Sequence, residues 1–428
     1  MSLDNRVAVI AGCRTPFAKA GTLFRDTTAL DLARACVREL LERSEADPAW
    51  IGTVVMGQVI PSVKAPNLGR ETALGVGLPP GVPALTVNRA CASANEAIVQ
   101  VANTIRLGHA EAGIAGGAES LSDVPILHSK RMARALVEAS RAKSLGARLA
   151  AFKGVRLRDL APDTPAIAEP STGLTMGQSA EKMAKENGIS REEQDRIALA
   201  SHQRAAAATD DGRLPAEICA VHIPPRYEAV ATTDNLVRRD TTLEALAALP
   251  PAFDRKYGSV TAGNASPLTD GAAAVLLMSE SRARAEGYVP LAYLRSWAVE
   301  AVDPGGQLLM GPALAIPKAL ERAGLQLSDI DLIEMHEAFA AQVASNIQAL
   351  ESEAWARDKL GRTEAVGKVD RERLNVCGGS IAIGHPFGAT GARITTTLAN
   401  ELARRDKKLG LLSVCAQGGM GFAMVLER

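Results

Sequence analysis

Two stretches of this 428-residue chain repeat one another. Glu39–Val59 (ELLERSEADPAWIGTVVMGQV) and Lys318–Ala338 (KALERAGLQLSDIDLIEMHEA) both read as helix, turn and strand at the same spacing. A unit of this kind cannot bury its apolar face alone, so its recurrence implies two similar α/β lobes packed together. Equivalent strand ends of two such lobes face one shared site, at the strand-to-helix turns where open α/β sheets carry their chemistry.

The remaining segments fit this frame. In the first half Val7–Cys13, Ile51–Val59, Ala84–Val87 and Ala112–Ala118 read as buried strands. Thr28–Arg43 has helical spacing (Leu30, Leu32, Ala33, Cys36, Leu40, Leu41). In the second half strands are expected at Pro290–Val302, Ile330–Met335, Leu409–Cys415 and Gly421–Leu426, with helices at Leu314–Ala323 and Ala392–Ala403. Leu374–Cys377 runs into a glycine-rich turn. Between Ala118 and Pro250 the rhythm breaks. A helix over Ser190–Ala208, opened by a Ser190/Glu193 capping box, stands among loops holding Pro162, Pro165, Pro170, Pro224 and Pro225. The expected organisation is a first lobe from residues 1–122 and 251–282, an inserted segment over 123–250 that covers the site, and a second lobe over 283–428.

Lysine plus arginine and aspartate plus glutamate both number 48, which disfavours a nucleic-acid partner. The six cysteines form no CxxC pair and no cluster with histidine at metal spacing, so no structural zinc is expected. In a chain of this size they read as reduced thiols. MSLDNRVAVIAGCRTPF has the pattern of a strand rather than of a secretion signal, and no apolar run approaches the ~18 residues of a membrane span, so a cytoplasmic protein is expected.

Four residues on turns after buried strands can carry chemistry. Cys91 lies between Ala84–Val87 and apolar positions at helical spacing (Ala94, Ile98, Val101, Ile105) that close at Gly108. A helix starting two or three residues on would turn its positive end toward the thiol and draw it toward thiolate. The same turn would equally accept a small buried hydrophobe. His336 ends its strand in MHEAF. His385 lies in NVCGGSIAIGHPFGATGARI, where Pro386 biases it away from helical geometry. Cys415 ends a strand in VCAQGGMG. Each alone is more often structural; together, on equivalent turns of a duplicated fold, they are hard to explain as packing. The glycine-rich turn matches neither GxGxxG nor GxxxxGK[ST] and suits close backbone approach to an extended ligand better than a nucleotide cradle.

These residues belong to longer stretches: CRTPFAKAGT (Cys13–Thr22), RACASANEA (Arg89–Ala97), GGAESLSDVP (Gly116–Pro125), MGQSAE (Met176–Glu181), VTAGNASPLTDGAAA (Val260–Ala274), HEAF (His336–Phe339), GGSIAIGHPFGATGAR (Gly378–Arg393) and CAQGGMG (Cys415–Gly421). With them the chain resembles the thiolase family over essentially its whole length. HEAF, PLTDGA, Thr175 before Met176, and DVPILHSKRM with its long insertion resemble most the beta subunit of the fatty-acid oxidation complex. Gln417 departs from the family, which has a small residue there.

The resemblance implies a duplicated thiolase fold: two βαβαβαββ-type lobes in a five-layer α-β-α-β-α core. It also implies thiolysis of a 3-ketoacyl-CoA, with CoA as substrate and no metal or other cofactor. In that reaction Cys91 is the nucleophile, His385 its base, and Cys415 the second acid/base. Backbone N–H groups of Cys91 and Gln417 form one oxyanion hole; His385 and a water on His336 form the other. Met176 lines the acyl pocket, Ala262 and Ser266 meet the pantetheine arm, and Ala338 and Phe339 complete the substrate contacts. The implied partners are a second copy (homodimer or dimer of dimers) and a hydratase/dehydrogenase alpha subunit. A ketoacyl synthase would carry histidine at Cys415. An acetoacetyl-CoA thiolase shares all four groups, and a non-catalytic acyl-CoA scaffold would be expected to lack one.

Residues 128–159 hold nine basic residues against two acidic ones. Met132, Leu136, Ala139, Ala142, Leu145, Leu149 and Phe152 recur at helical spacing, with Gly146 favouring two shorter helices. A cover packed on its own lobes, a basic amphipathic surface meeting anionic lipid or a partner, and a phosphate contact to CoA all fit this pattern.

Overall fold

The computed structural model describes residues 6–162 and 168–428; Met1–Asn5 and Pro165 lie outside the described residues. Its core is a ten-stranded mixed sheet. The strands that matter here are β1 (Val7–Arg14), β2 (Ile51–Gly57), β3 (Ala84–Val87), β4 (Ala112–Glu119), β5 (Thr269–Ser279), β6 (Ala292–Ala301), β7 (Leu332–Met335), β8 (Leu409–Ala416) and β9 (Met420–Glu427). Their order is β7-β8-β9-β6-β1-β5-β4-β2-β3, with the two-residue strand Ala18–Lys19 beside β5.

The duplication is visible in this order. From the centre outward the first half runs β1-β5-β4-β2-β3, and the second runs β6-β9-β8-β7 and then Leu374, which bridges Ile333. The halves join where β1 and β6 pair antiparallel through only two residue pairs, Ala8 with Tyr293 and Val9 with Ala292. The repeated segment is alike in detail. α1 (Ala29–Ser44) ends at a left-handed Glu45, then a 3₁₀ turn Pro48–Trp50 leads into β2. Its counterpart (Gly311–Ala323) ends at a left-handed Gly324, then Leu327–Asp329 leads into β7.

Alternation along β1 divides the core. Val7 and Val9 face a middle layer made by α3 (Ser93–Arg106) and the helix Thr390–Arg404, which also packs on Val414, Phe422 and Met424 of the second half. Ala8 and Ile10 face the outer side, against Leu32, Cys36 and Leu40 of α1. The second half buries Ile333, Leu411 and Val425 against Ile316, Leu320 and Ile347. The outcome is five layers, helices–sheet–helices–sheet–helices. Cys13, Cys36 and Cys219 pack in the first outer layer as free thiols, Cys13 Sγ lying 3.7 Å from Cys36 Sγ.

Three local expectations are corrected. β3 is an edge strand rather than a buried one, and its Leu85 is 44% exposed. Ser190 caps its helix by accepting from the Glu193 N–H, but the reciprocal boxes form instead at Thr28/Asp31 and Thr175/Gln178. The basic segment folds as two helices, α4 (Lys130–Arg141) and α5 (Leu145–Ala150), broken at Ala142–Ser144 rather than at Gly146.

Candidate functional site

The site lies where turns of both halves meet. The Cys91 turn is tightly pinned. Asn88 Oδ1 accepts the Ala90 N–H at 2.9 Å, Ser93 Oγ accepts the Arg89 N–H at 2.9 Å, and the Ser93 hydroxyl donates to the Ala90 carbonyl at 2.6 Å. These bonds hold Ala90 at φ +45°, a left-handed conformation that costs a non-glycine residue about 1–2 kcal/mol. The strain sits immediately before Cys91, with α3 beginning two residues after it.

The second half supplies three groups. His336 follows β7, its N–H donating to the Ser413 carbonyl of β8 at 2.8 Å. Cys415, near the end of β8, is 1% exposed. His385 follows Gly384, whose φ of +107° is open only to glycine, and its N–H donates to Thr269 Oγ1 at 3.0 Å. The two imidazole rings lie 4.1 Å apart, centroid to centroid. The Cys91 Sγ and one nitrogen of each ring all fall within 4.8 Å of one another.

The protonation of His385 follows from its partners. Thr390 Oγ1 donates to the Pro386 carbonyl at 3.1 Å and lies 2.7 Å from His385 Nδ1. The hydroxyl proton is thus committed, and Oγ1 accepts from Nδ1–H. Nε2 is left as a bare acceptor, buried and without a partner among the described residues, in a ring with one nitrogen within 4.8 Å of the thiol sulfur. That is the arrangement of a general base beside a nucleophile.

Burial pushes His385 down to about 3 and His336 well below its usual range, with the Arg393 charge adding to both, so both rings are neutral at pH 7. It pushes Cys91 up to about 12, outweighing the N–H groups of Gln417 and of Cys91 itself. The expected pull toward thiolate is therefore corrected. A helix terminus contributes about 2 kcal/mol at most, or some 1.5 pKa units, less than the rise that burial produces. Cys415 rises too, first by burial and then by the proximity of Cys91. The resting pair is thiol and neutral imidazole. Alkylation of Cys91 by iodoacetamide in the free enzyme should therefore climb with pH through 9, because a thiol of raised pKa stays protonated below it. A rate plateau below pH 7 would instead mean a preformed thiolate–imidazolium pair.

The expected substrate contacts are near one another. Met176 begins the helix Met176–Glu186 and packs against a cluster containing Cys415, Ala338 and Phe339. Ser266 donates its N–H to the Ala338 carbonyl at 3.0 Å, and Ala265 bridges Phe339. Ala262 is exposed. Phe339 is 9% exposed and packs edge-on against Phe253 at 6.0 Å, so its ring supports the wall rather than lining open space.

Several supporting residues were not legible in the sequence. Glu119 ends β4 and accepts from Val59 (2.9 Å), Ile60 (3.0 Å) and Gly388 (3.0 Å), tying the first half to the His385 turn. Burial pushes it up to about 7 against the pull of those donors. Gly388 passes so near β2 that a Cβ would fall 2.6 Å from the Gly57 carbonyl oxygen. Gln417 reaches out of the site: its Nε2 donates to the Ala168 carbonyl at 2.8 Å, and Gly418 N–H donates to Glu169 at 3.0 Å. The only sequence signal for this contact is that Gln417 is large where the resembled family is small.

A duplicated α/β core with two thiols and two neutral histidines at the meeting of its halves is the pattern of an acyl-transferring enzyme with a cysteine nucleophile. The chain belongs to the thiolase family: residues 7–281 match the model "Thiolase, N-terminal domain" and residues 288–428 match "Thiolase, C-terminal domain". It is 53% identical to a 3-ketoacyl-CoA thiolase of Enterobacter sp. (strain 638), over 99% of this chain and 97% of the relative. It is 50% identical to a 3-ketoacyl-CoA thiolase of Shewanella halifaxensis at the same coverage. The crystal structure of the Bacillus anthracis acetyl-CoA acetyltransferase superposes with a TM-score of 0.86 at 35% identity, covering 99% of this chain and 98% of that one.

Proposed function

We propose that this protein is a 3-ketoacyl-CoA thiolase, cleaving a 3-ketoacyl-CoA with CoA to acetyl-CoA and an acyl-CoA shortened by two carbons. The observation that carries the reading is the Cys91 thiol beside a bare His385 Nε2, with a second buried thiol, Cys415, close by. Cys91 Sγ attacks the ketone carbon as its proton passes to His385 Nε2, forming a tetrahedral oxyanion. The bond between C2 and C3 then breaks. Its electron pair leaves as the acetyl-CoA enolate, which takes a proton at C2 from Cys415, while the acyl group stays on Cys91. Cys415, now a thiolate, deprotonates the incoming CoA. The CoA sulfur attacks the acyl carbon, and Cys91 departs and recovers its proton from His385.

Two oxyanions at two places need two holes. The N–H groups of Cys91 and Gln417, which pull the Cys91 thiol down against its burial, would suit one of them. His385 once protonated, with a water on His336, suits the other. Met176 would line the acyl channel, with Ala262, Ser266 and Ala338 along the pantetheine arm and Phe339 behind them. CoA is a substrate in this scheme, and no resident cofactor has a step to perform.

Turnover of short-, medium- and long-chain 3-ketoacyl-CoAs with added CoA tests the reading. CoA-dependent cleavage across several lengths is expected. Activity confined to acetoacetyl-CoA would favour a biosynthetic thiolase, and none at any length would favour a scaffold.

We further propose that residues 128–159 form a basic surface for anionic lipid. The apolar stripe does not pack wholly on the lobes: Leu136, Leu145 and Leu149 are exposed, the latter two by 73% and 67%. No helix among the described residues is long and apolar enough to cross a membrane, so this contact is peripheral. Each basic group near an anionic surface contributes on the order of 1 kcal/mol and is screened by salt. The protein should co-sediment with phosphatidylserine-containing vesicles at low salt and leave them at high salt. Arg134, Arg141 and Lys143 changed together to Glu should abolish this and leave short-chain thiolysis intact. A raised KM for CoA in that variant would assign the charge to the substrate. The edge strand β3 offers unpaired backbone to a second copy, consistent with a homodimer or dimer of dimers, and a hydratase/dehydrogenase alpha subunit is the partner implied by the family subgroup.

A further inference from the structure

We propose that Ser380, held by Arg393, is a positioning residue that fixes His336 in the tautomer with its proton on Nε2, so that this ring enters the site as a hydrogen-bond donor. The inference rests on the thiolase reading above for its functional meaning, and on the hydrogen-bond chain for its chemistry.

Arg393 lies in the helix Thr390–Arg404 and is fully buried. A guanidinium only donates, and its Nη2 donates to Ser380 Oγ at 3.2 Å. Glu334, on β7 two residues before His336, lies beside the guanidinium, with Oε2 3.7 Å from Nη1. Ser380 Oγ therefore accepts from the arginine and has one proton of its own to place. Its remaining contact is His336 Nδ1, 2.9 Å away. If the serine donates to Nδ1, its hydroxyl proton has an acceptor, and the ring proton sits on Nε2, which has no partner among the described residues. If Nδ1 carried the proton, the hydroxyl hydrogen of a fully buried serine would be left without one. Leaving a buried donor unsatisfied shifts such an equilibrium by about 10–10²-fold. The arginine's positive charge acts in the same sense, since it repels a proton on the near nitrogen.

The same helix thus sets both rings, in opposite ways. Thr390 accepts from His385 Nδ1–H and leaves Nε2 bare, whereas Arg393, acting through Ser380, leaves Nε2 of His336 protonated. Two rings 4.1 Å apart are given different duties: one accepts the thiol proton, the other donates to a water or a developing oxyanion. Both Nε2 atoms are buried and without a partner among the described residues, as groups kept for a substrate would be.

Proton-detected NMR of the full-length enzyme with ring-15N histidine tests this directly, the His336 signals being assigned by their loss in His336→Asn. A protonated Nε2 and a bare Nδ1 are expected, and a proton on Nδ1 overturns the proposal whether or not the enzyme is a thiolase. Kinetics give the functional arm. Ser380→Ala should lower kcat about 10-fold with KM for the 3-ketoacyl-CoA little changed, and Ser380→Thr, which keeps the hydroxyl, should restore it. In a His336→Asn background, where an amide has no tautomers to choose between, Ser380→Ala should cost nothing further. An equal loss in both backgrounds would make Ser380 merely structural and refute the positioning role. If wild type fails to cleave any 3-ketoacyl-CoA while the NMR result holds, the thiolase reading falls and the tautomer assignment stands.

Discussion

Replacing Cys91 by alanine is expected to abolish both turnover and covalent acylation. Of the thiols in this structure, only Cys91 combines a strained strand-to-helix turn, a bare imidazole nitrogen within 4.8 Å and partial exposure. Cys415 cannot substitute, because it is closed off at 1% exposure. Mass spectrometry after exposure to substrate should find the acyl group on Cys91 in the wild type and nowhere in the variant. An adduct on Cys415 alone would reverse the two roles.

The Cys415→Ser variant should separate the half-reactions. Acylation of Cys91 by a simple acyl-CoA breaks no carbon–carbon bond and should survive. Cleavage of a 3-ketoacyl-CoA and its reverse both require a proton to move at C2, and both should fall about 10²–10⁴-fold, the usual share of general acid/base catalysis. A serine hydroxyl is far too weak an acid to replace a thiol there, even a thiol whose pKa burial raises. Loss of simple acylation to the same degree would mean that Cys415 supports the fold or Cys91 instead.

How far the sequence revealed this site depended on the range of the interactions involved. Cys91 and His336 were legible because each follows a strand, Cys415 because it lies near the end of one, and His385 because it sits in a glycine-rich turn, all of them signalled by local patterning. The repeat was legible for the same reason, helix, 3₁₀ turn and strand being short-range features. Leu85 was misread because a four-residue apolar run looks the same at an edge as at the centre of a sheet; only pairing distinguishes them. Thr390 was missed although its partners lie only four and five residues away. Ser380, Arg393 and Glu119 were missed altogether, being ordinary residues whose meaning comes from partners distant in sequence. Gly388, for instance, meets a carboxylate 269 positions away. The direction of the Cys91 shift was misjudged because a helix terminus is local and visible, whereas desolvation depends on everything that closes over the thiol.

The bonds from Gln417 and Gly418 to Ala168 and Glu169 join the turn that, in the proposed scheme, offers an oxyanion N–H to the segment 123–250 that is proposed to cover the site. In that scheme chain-length preference and rate are not separate dials. Exchanging residues 123–250 for those of a relative, in order to admit a different acyl chain, would also cut the two struts that aim the Gln417 amide. Such a chimera would inherit a new substrate range together with a misaimed donor, unless position 417 and its two partners travelled with the graft as one cassette.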